Sequence, residues 1–109
     1  MQAHQIRQAN IETYRFLKRR GITQTNLETH PQADDLVLLT AIKDSFHSRM
    51  IPSELAVWGA YWNTVYYKKK PLKDKALTKF EQIISNIQIR ETKRSDLITK
   101  IQQLRTKQK

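Results

Sequence analysis

The chain has 109 residues, no cysteine, and 20 Lys and Arg against 10 Asp and Glu, which gives a formal net charge of +10. This length fits one domain, so residues 1–109 are expected to fold as a single unit. A sequence without cysteine excludes a disulfide scaffold, a thiol nucleophile and a Cys-based zinc site. No apolar run approaches the roughly 20 residues of a membrane span, and the polar N-terminal segment lacks a signal core, so a cytoplasmic protein is expected.

The positive charge is concentrated at the two ends of the chain. The net charge is +4 over residues 1–20, −3 over 21–67, +4 over 68–89 and +5 over 90–109. This split predicts a packed centre with cationic outer elements, a pattern that favours polyanionic partners. Exposed Lys and Arg also keep small proteins soluble, but the excess of ten is more than solubility requires.

Helical spacing dominates the sequence, which contains only two glycines and three prolines, and predicts an all-α fold: a compact bundle of four to five helices. A first helix is expected over residues 3–20. Its apolar positions follow three-to-four spacing: Ile6, Ala9, Tyr14 and Leu17, with Phe16 beside them. Gly21 should end this helix in a left-handed conformation, and residues 22–30 are expected to form a polar loop.

Two further helices are expected in the middle of the chain, over residues 32–49 and 53–67. Pro31 suits the first helical position, and Asp34 and Asp35 suit the positive end of the helix dipole. The buried face of the second helix is predicted to contain Leu38, Leu39, Ile42 and Phe46. The third helix should bury one aromatic face, because these residues share a direction at 100° per residue: Leu55, Trp58, Tyr61, Trp62, Val65 and Tyr66.

The last segment, residues 72–105, is expected to form one long helix or two, with two packed pieces or a kink favoured. Its apolar positions have near-heptad spacing: Phe80, Ile83, Ile87, Leu97, Ile101 and Leu104. Arg90 and Arg94 interrupt this seam, where a buried charge is costly without partners. A second piece is therefore expected to start near Ser95 and Asp96, and the last five residues are expected to fray.

Nucleic-acid binding through phosphate contacts is the leading functional hypothesis, and DNA and RNA remain equally open. The candidate cations form three clusters: Arg15, Lys18, Arg19 and Arg20; then Lys68, Lys69, Lys70, Lys73, Lys75 and Lys79; then Arg90, Lys93, Arg94, Lys100 and Arg105. An accessory role in DNA replication, transfer or regulation would suit such binding.

Tyr67 adjoins the lysine run and points away from the aromatic face, an arrangement that stacks a base while lysines hold phosphates. A basic helix end with a tyrosine at the core rim explains the same residues. If the first and third helices run parallel, the first two clusters form one patch with Tyr67 as the only aromatic residue outside the core.

The main alternative is a helical protein-interaction module that docks on a partner, on a nucleoprotein complex or on a second copy. The apolar seam Phe80–Leu104 exceeds what one short core needs, and such faces mark partner surfaces. A basic amphipathic tail over residues 96–107 could instead lie on a membrane surface, but it contains no Trp or Phe to anchor it.

Catalytic chemistry has little support in the sequence. The middle carboxylates, Asp34, Asp35, Asp44 and Glu54, suit helix starts or solvent-facing positions. The three histidines lack metal-ligand spacing, and two glycines cannot form a phosphate loop. We therefore expect no enzyme, no metal site and no cofactor.

Two short stretches resemble known families. Residues 18–27 resemble the opening of the lambda-repressor-like helix-turn-helix family, in which a Thr-Gln pair (here Thr23-Gln24) starts a helix that contains a leucine. The likeness departs at Glu28 and His30, and no recognition helix follows at the usual angle. Residues 58–84 look like C-terminal segments of phage and primosomal replication accessory proteins, although Ala76 stands in the neighbourhood of their further tryptophan. Neither resemblance assigns a family.

Overall fold

A computed structural model describes residues 11–46 and 50–107 of the protein. These residues form six helices: α1 (Ile11–Arg19), α2 (Gln24–Glu28), α3 (Ala33–Phe46), α4 (Pro52–Tyr66), α5 (Asp74–Asn86) and α6 (Glu91–Lys107). The all-α prediction is confirmed, with more helices than the expected four to five. The Cα radius of gyration is 12.9 Å, close to the value of about 13 Å for a compact domain of this length. Across the described ranges, no helix has the length and apolarity needed to cross a membrane.

Helix α1 ends where the sequence predicts. Gly21 has φ of 68°, and the Ile22 N–H reaches back to the Leu17 carbonyl at 3.0 Å, which is the helix end that glycine favours. The predicted apolar face is wrong at Tyr14, which is 46% exposed, whereas Thr13 and Leu17 are buried. Ile6 and Ala9 lie outside the described residues.

The polar loop expected over residues 22–30 is wrong, because it contains α2. Thr23 caps this helix by accepting the Asn26 N–H on its hydroxyl oxygen at 3.2 Å, and Leu27 is buried beneath it. The Thr-Gln pair therefore starts a helix, but that helix is only five residues long. The Thr23 cap therefore stabilises a short helix in a segment whose polar composition predicted a loop.

Helix α3 is the centre of the bundle and packs against α1, α2, α4 and α6. Its predicted buried residues are confirmed, and contact on several sides buries three more positions, Asp35, Leu36 and Thr40. Pro31 lies in the turn before the helix, which begins at Ala33. The predicted end of the helix, residues 47–49, lies outside the described part of the chain.

Helix α4 carries the aromatic core within one residue of its predicted bounds. Trp58 and Trp62 are buried and stack at 5.4 Å between ring centroids, with Phe16 of α1 edge-on to both. The Trp58 indole N–H donates to the Leu39 carbonyl at 2.9 Å, which satisfies its polar atom in the core. Leu55 departs from the prediction: it is 45% exposed, because α1 leaves the first turn of α4 uncovered.

The last segment forms two packed helices, as favoured, but the break lies at residues 87–90 rather than at Ser95 and Asp96, which are inside α6. Of the residues expected to fray, 105–107 continue α6. The apolar seam is part of the core, since five of its six residues are buried and Ile87 packs against the buried residues. The seam therefore leaves no free face for a partner, which removes the observation behind the protein-interaction alternative.

Candidate nucleic-acid interface

The four cations predicted at the end of α1, Arg15, Lys18, Arg19 and Arg20, are all exposed. They line one open groove together with Phe16, Lys43 of α3, and Leu55, Trp58 and Gly59 of α4. We call this surface the α1 groove. Its described lining residues include five cations and no carboxylate, and exposed Leu55 forms part of its wall.

Two of these cations lie over aromatic rings. The Arg20 guanidinium carbon is 3.6 Å from the centroid of Phe16, and its Nη1 donates to the Phe16 carbonyl at 3.3 Å. The Lys43 ammonium lies 5.8 Å from the Phe16 centroid and 5.7 Å from the Trp58 centroid, within the range of cation–π attraction. Sequence reasoning missed Lys43, because it stands in the acidic middle of the chain and joins the groove only through tertiary packing.

The lysine run follows the other end of α4. Tyr67, Lys68, Lys69 and Lys70 are all exposed, and we call these four residues the lysine turn. The α1 groove adjoins α4 as far as Gly59, and at 1.5 Å per residue Tyr67 lies about 12 Å further along the helix. One patch is expected only for parallel first and third helices; in the structure, the lysine turn lies beyond the α1 groove along α4. Tyr67 is also not alone outside the core, since Tyr14 is exposed beside Lys18 in a shallow pocket.

The other lysines of the second cluster are distributed over different surfaces. Lys73 stands at the start of α5 and lines a pocket with Asp34 and Asp35. Lys75 and Lys79 line an open groove between α4 and α5. These three side chains are exposed, but the groove and the pocket separate them from the cations of α1.

Most cations of the third cluster are held by contacts inside the protein. Arg94 donates to the carbonyls of Ile84 and Ile87 at the end of α5 and pairs with Glu91 at 3.2 Å. The Lys100 ammonium pairs with Asp96 at 2.7 Å. Arg90 and Lys93 remain exposed. Arg94 was expected to interrupt the apolar seam. Instead it joins α6 to the end of α5, because the carbonyls there accept hydrogen bonds from its guanidinium.

Arg105 joins α6 to α5. Its Nε donates to Asp74 at 2.7 Å, and its Nη2 reaches both Thr78, at 2.9 Å, and Glu81. The hydrogen bond to Glu81, followed by that to Asp74, raises the pKa of Arg105 further above its ordinary value. The Arg105 guanidinium is therefore already bonded to three side chains of α5.

Two side chains from the start of α3 and the turn before it hold the lysine turn. His30 Nδ1 accepts the Gln32 N–H at 2.9 Å, so its Nε2 carries the proton donated to the Tyr66 carbonyl at 2.7 Å. Asp35 accepts the Leu72 N–H at 2.8 Å. Burial raises the pKa of Asp35, and the Leu72 N–H partly opposes that shift.

Within residues 11–46 and 50–107, no three metal-ligating side chains cluster to hold a metal ion. Asp34 pairs with Lys107, and Glu54 accepts the Ile51 N–H at the start of α4, at 3.1 Å. These two carboxylates therefore have structural roles. No family model, curated protein or solved structure matches the chain.

Proposed function

We propose that the protein binds nucleic acid without sequence specificity, through contacts between the α1 groove and backbone phosphates. The observation that carries this proposal is the charge of the groove: among the described residues, five cations line it and no carboxylate does. In the described part of the chain, Arg15, Lys18 and Arg19 make no ion pair. Phosphates can therefore approach them without displacing a carboxylate of the described residues.

The walls of the groove suit a sugar-phosphate backbone. A Cβ added at Gly59 would meet no described atom within 4 Å apart from its chain neighbours and the backbone of its own helix, so the surface of α4 is open there. Arg20 and Lys43 lie over rings that restrict them, which lowers the entropy cost of fixing their charges on a ligand. Phosphate contacts of this kind give affinity that falls with salt and carry little sequence information.

Fluorescence polarisation across a salt series tests the proposal, using labelled single-stranded DNA, duplex DNA and RNA. We expect binding at low salt, with a log–log slope of about −0.7 to −0.9 per phosphate contact. Lys18→Ala with Arg19→Ala should reduce the slope by about two contacts. This pair is preferred because Arg20 also packs on Phe16.

Arg90→Ala with Lys93→Ala is the matched control, since it removes the same charge from exposed positions outside the groove. It should change the slope less than the groove variant. No binding to any of the three ligands at low salt would overturn the proposal. Equal losses in the two variants would show a response to net charge alone.

The groove between α4 and α5 supports a second candidate function, the docking of an acidic amphipathic helix. Val57, Ala60 and Tyr61 line it on the α4 side. On the α5 side it is lined by Thr78, Gln82 and two lysines one helical turn apart, Lys75 and Lys79. The carboxylates of α5, Asp74 and Glu81, are instead engaged by Arg105. The groove thus complements a helix with apolar residues on one side and carboxylates at i, i+4 spacing.

A designed 15-residue helix with that pattern, and a scrambled control of the same composition, would test this candidate by polarisation. We expect the patterned peptide to bind, and Ala60→Glu to abolish its binding without altering nucleic-acid affinity. Equal binding of both peptides, or of neither, would dismiss the candidate.

A further inference from the structure

The lysine turn has an unusual backbone for its sequence. Lys69 has φ of 56° and is the one non-glycine residue of the described chain in the left-handed region. The Lys70 N–H reaches back across it to the Thr64 carbonyl at 3.3 Å. Helix α1 ends with a left-handed residue too, but there it is Gly21. Glycine fills such a position without the steric cost that a lysine pays.

The backbone hydrogen bonds of the turn hold this conformation, but the Lys69 side chain contributes nothing to it. The Lys69 side chain is exposed and makes no hydrogen bond or ion pair in the described structure. The same holds for the side chains of Lys68 and Lys70. Strained backbone that presents unused functional groups is a feature of ligand-binding turns.

The turn is fixed at both ends. His30 holds the Tyr66 carbonyl before it, and Asp35 holds the Leu72 N–H after it. The Leu72 side chain is buried in the core. Because the backbone of the turn is held in this way, it has little conformational freedom left to lose when a ligand binds to the lysines.

Tyr67 is exposed at the start of this turn, but its ring has a defined setting. The ring is 56% exposed and packs perpendicular to Tyr66, at 4.9 Å and 83°. Tyr66 is itself stacked between Trp62, at 5.7 Å, and His30, at 5.2 Å. The aromatic core therefore continues through contacting rings from Trp62 to Tyr66 and Tyr67, and Tyr67 reaches the surface beside three lysines.

We propose that the lysine turn makes the protein prefer single-stranded over duplex nucleic acid, with one base stacked on Tyr67 and the flanking phosphates held by Lys68, Lys69 and Lys70. This inference rests on the proposed nucleic-acid binding and adds a ligand class to it. Bases in a duplex are stacked on one another, whereas a single strand offers free base faces to an aromatic ring.

The first test compares three labelled ligands of equal length: oligo-dT, its duplex with oligo-dA, and an abasic strand that keeps the phosphates. Tyr67→Ala should lower the affinity for oligo-dT by about 5- to 140-fold, the loss of one stacked base, and leave the abasic strand unaffected. Tyr67→Phe should retain the affinity, because it keeps the ring. Tyr14→Ala is the matched control, since it removes the other exposed tyrosine.

Lys69→Gly separates binding from structure. It should raise the melting temperature, because glycine relieves the left-handed position, and reduce the salt slope for oligo-dT by about 0.7. Raised stability with an unchanged slope would show that Lys69 binds no phosphate. A chain that binds oligo-dT and duplex equally, with Tyr67→Ala inert, would overturn this inference alone, whereas no binding to any ligand would also overturn the proposed function.

Discussion

The cations of α1 and those of α6 differ in what surrounds them, although both helices were expected to bind phosphates. At the end of α1, Arg15, Lys18 and Arg19 are exposed without ion pairs in the described structure. In α6, Arg94 donates hydrogen bonds to carbonyls at the end of α5, and Arg105 pairs with a carboxylate of α5. The comparison teaches that a count of positive charges does not locate a binding surface until the internal partners are known.

The cations of α6 have acidic partners nearby. Two pairs lie within the helix, three and four residues apart: Glu91 with Arg94, and Asp96 with Lys100. It also faces α5, whose Asp74 and Glu81 meet Arg105. Among the side chains that the structure describes, no acidic residue lines the α1 groove. We therefore expect substitutions in α6 to affect stability, and substitutions in α1 to affect binding.

The largest effect on stability is expected for Arg94→Ala. The carbonyls of Ile84 and Ile87 would lose a charged donor where α5 ends, which should lower the free energy of unfolding by about 1.5–3 kcal/mol. Lysine cannot replace the fork of the guanidinium, so Arg94→Lys should not restore the loss. Urea denaturation measures both. Wild-type stability with weakened nucleic-acid binding would place Arg94 with the α1 cations instead.

Asp35→Ala should cost about 1–3 kcal/mol, because it leaves the Leu72 N–H without its acceptor at the base of the lysine turn. Asp35→Asn keeps an acceptor and removes the charge. Since burial raises the pKa of Asp35 above 3.8, the folded state binds this proton more tightly than the unfolded state. The contribution of Asp35 to stability therefore falls as the pH rises from 3.8 through its folded pKa.

Urea denaturation at several pH values checks this sign. The stability of Asp35→Asn relative to wild type should increase from about pH 4 to pH 7. A relative stability that decreases over this interval would mean that the Leu72 N–H and His30 outweigh burial, and that the folded-state pKa is lowered.

Arg105→Ala should have a smaller effect, below about 1 kcal/mol, although it removes contacts to Asp74, Thr78 and Glu81. The partner carboxylate of Asp74 is exposed, and solvent screens such pairs. Thermal unfolding at low and high salt measures the effect, which should shrink as salt is added. A loss that is independent of salt would show that packing of the Arg105 side chain dominates.

The smallest effect on stability is expected for Lys18→Ala with Arg19→Ala. Because neither side chain has an ion-pair partner in the described residues, the free energy of unfolding should change by less than about 0.5 kcal/mol. The same urea titration checks this. A larger loss would mean that the α1 cations support the fold, and the contrast with α6 would disappear.

Periodicity and local signals predicted much of this fold. The aromatic face of α4, the glycine end of α1 and the split of the last segment depend on spacing and on single residues such as Gly21. The prediction failed where packing decides: Tyr14 and Leu55 have the right spacing for burial, but none of the described helices covers them.

The candidate site was less accessible to sequence reasoning. The α1 cations could be identified from the sequence, but Lys43 stands 23 residues after Arg20 and enters their groove from α3. Conversely, nothing in the local sequence shows that the carbonyls at the end of α5 satisfy Arg94. Both facts depend on which helix ends meet, and the spacing of apolar residues does not determine that.

Lysine footprinting tests the central contrast most directly. The protein is acetylated with an amine-reactive ester, with and without oligo-dT, and the modification of each lysine is followed by mass spectrometry. We expect the oligonucleotide to protect Lys18 and Lys43 in the α1 groove and to leave Lys93 and Lys100 of α6 unchanged. Protection of Lys93 and Lys100 while Lys18 and Lys43 stay reactive would contradict the account.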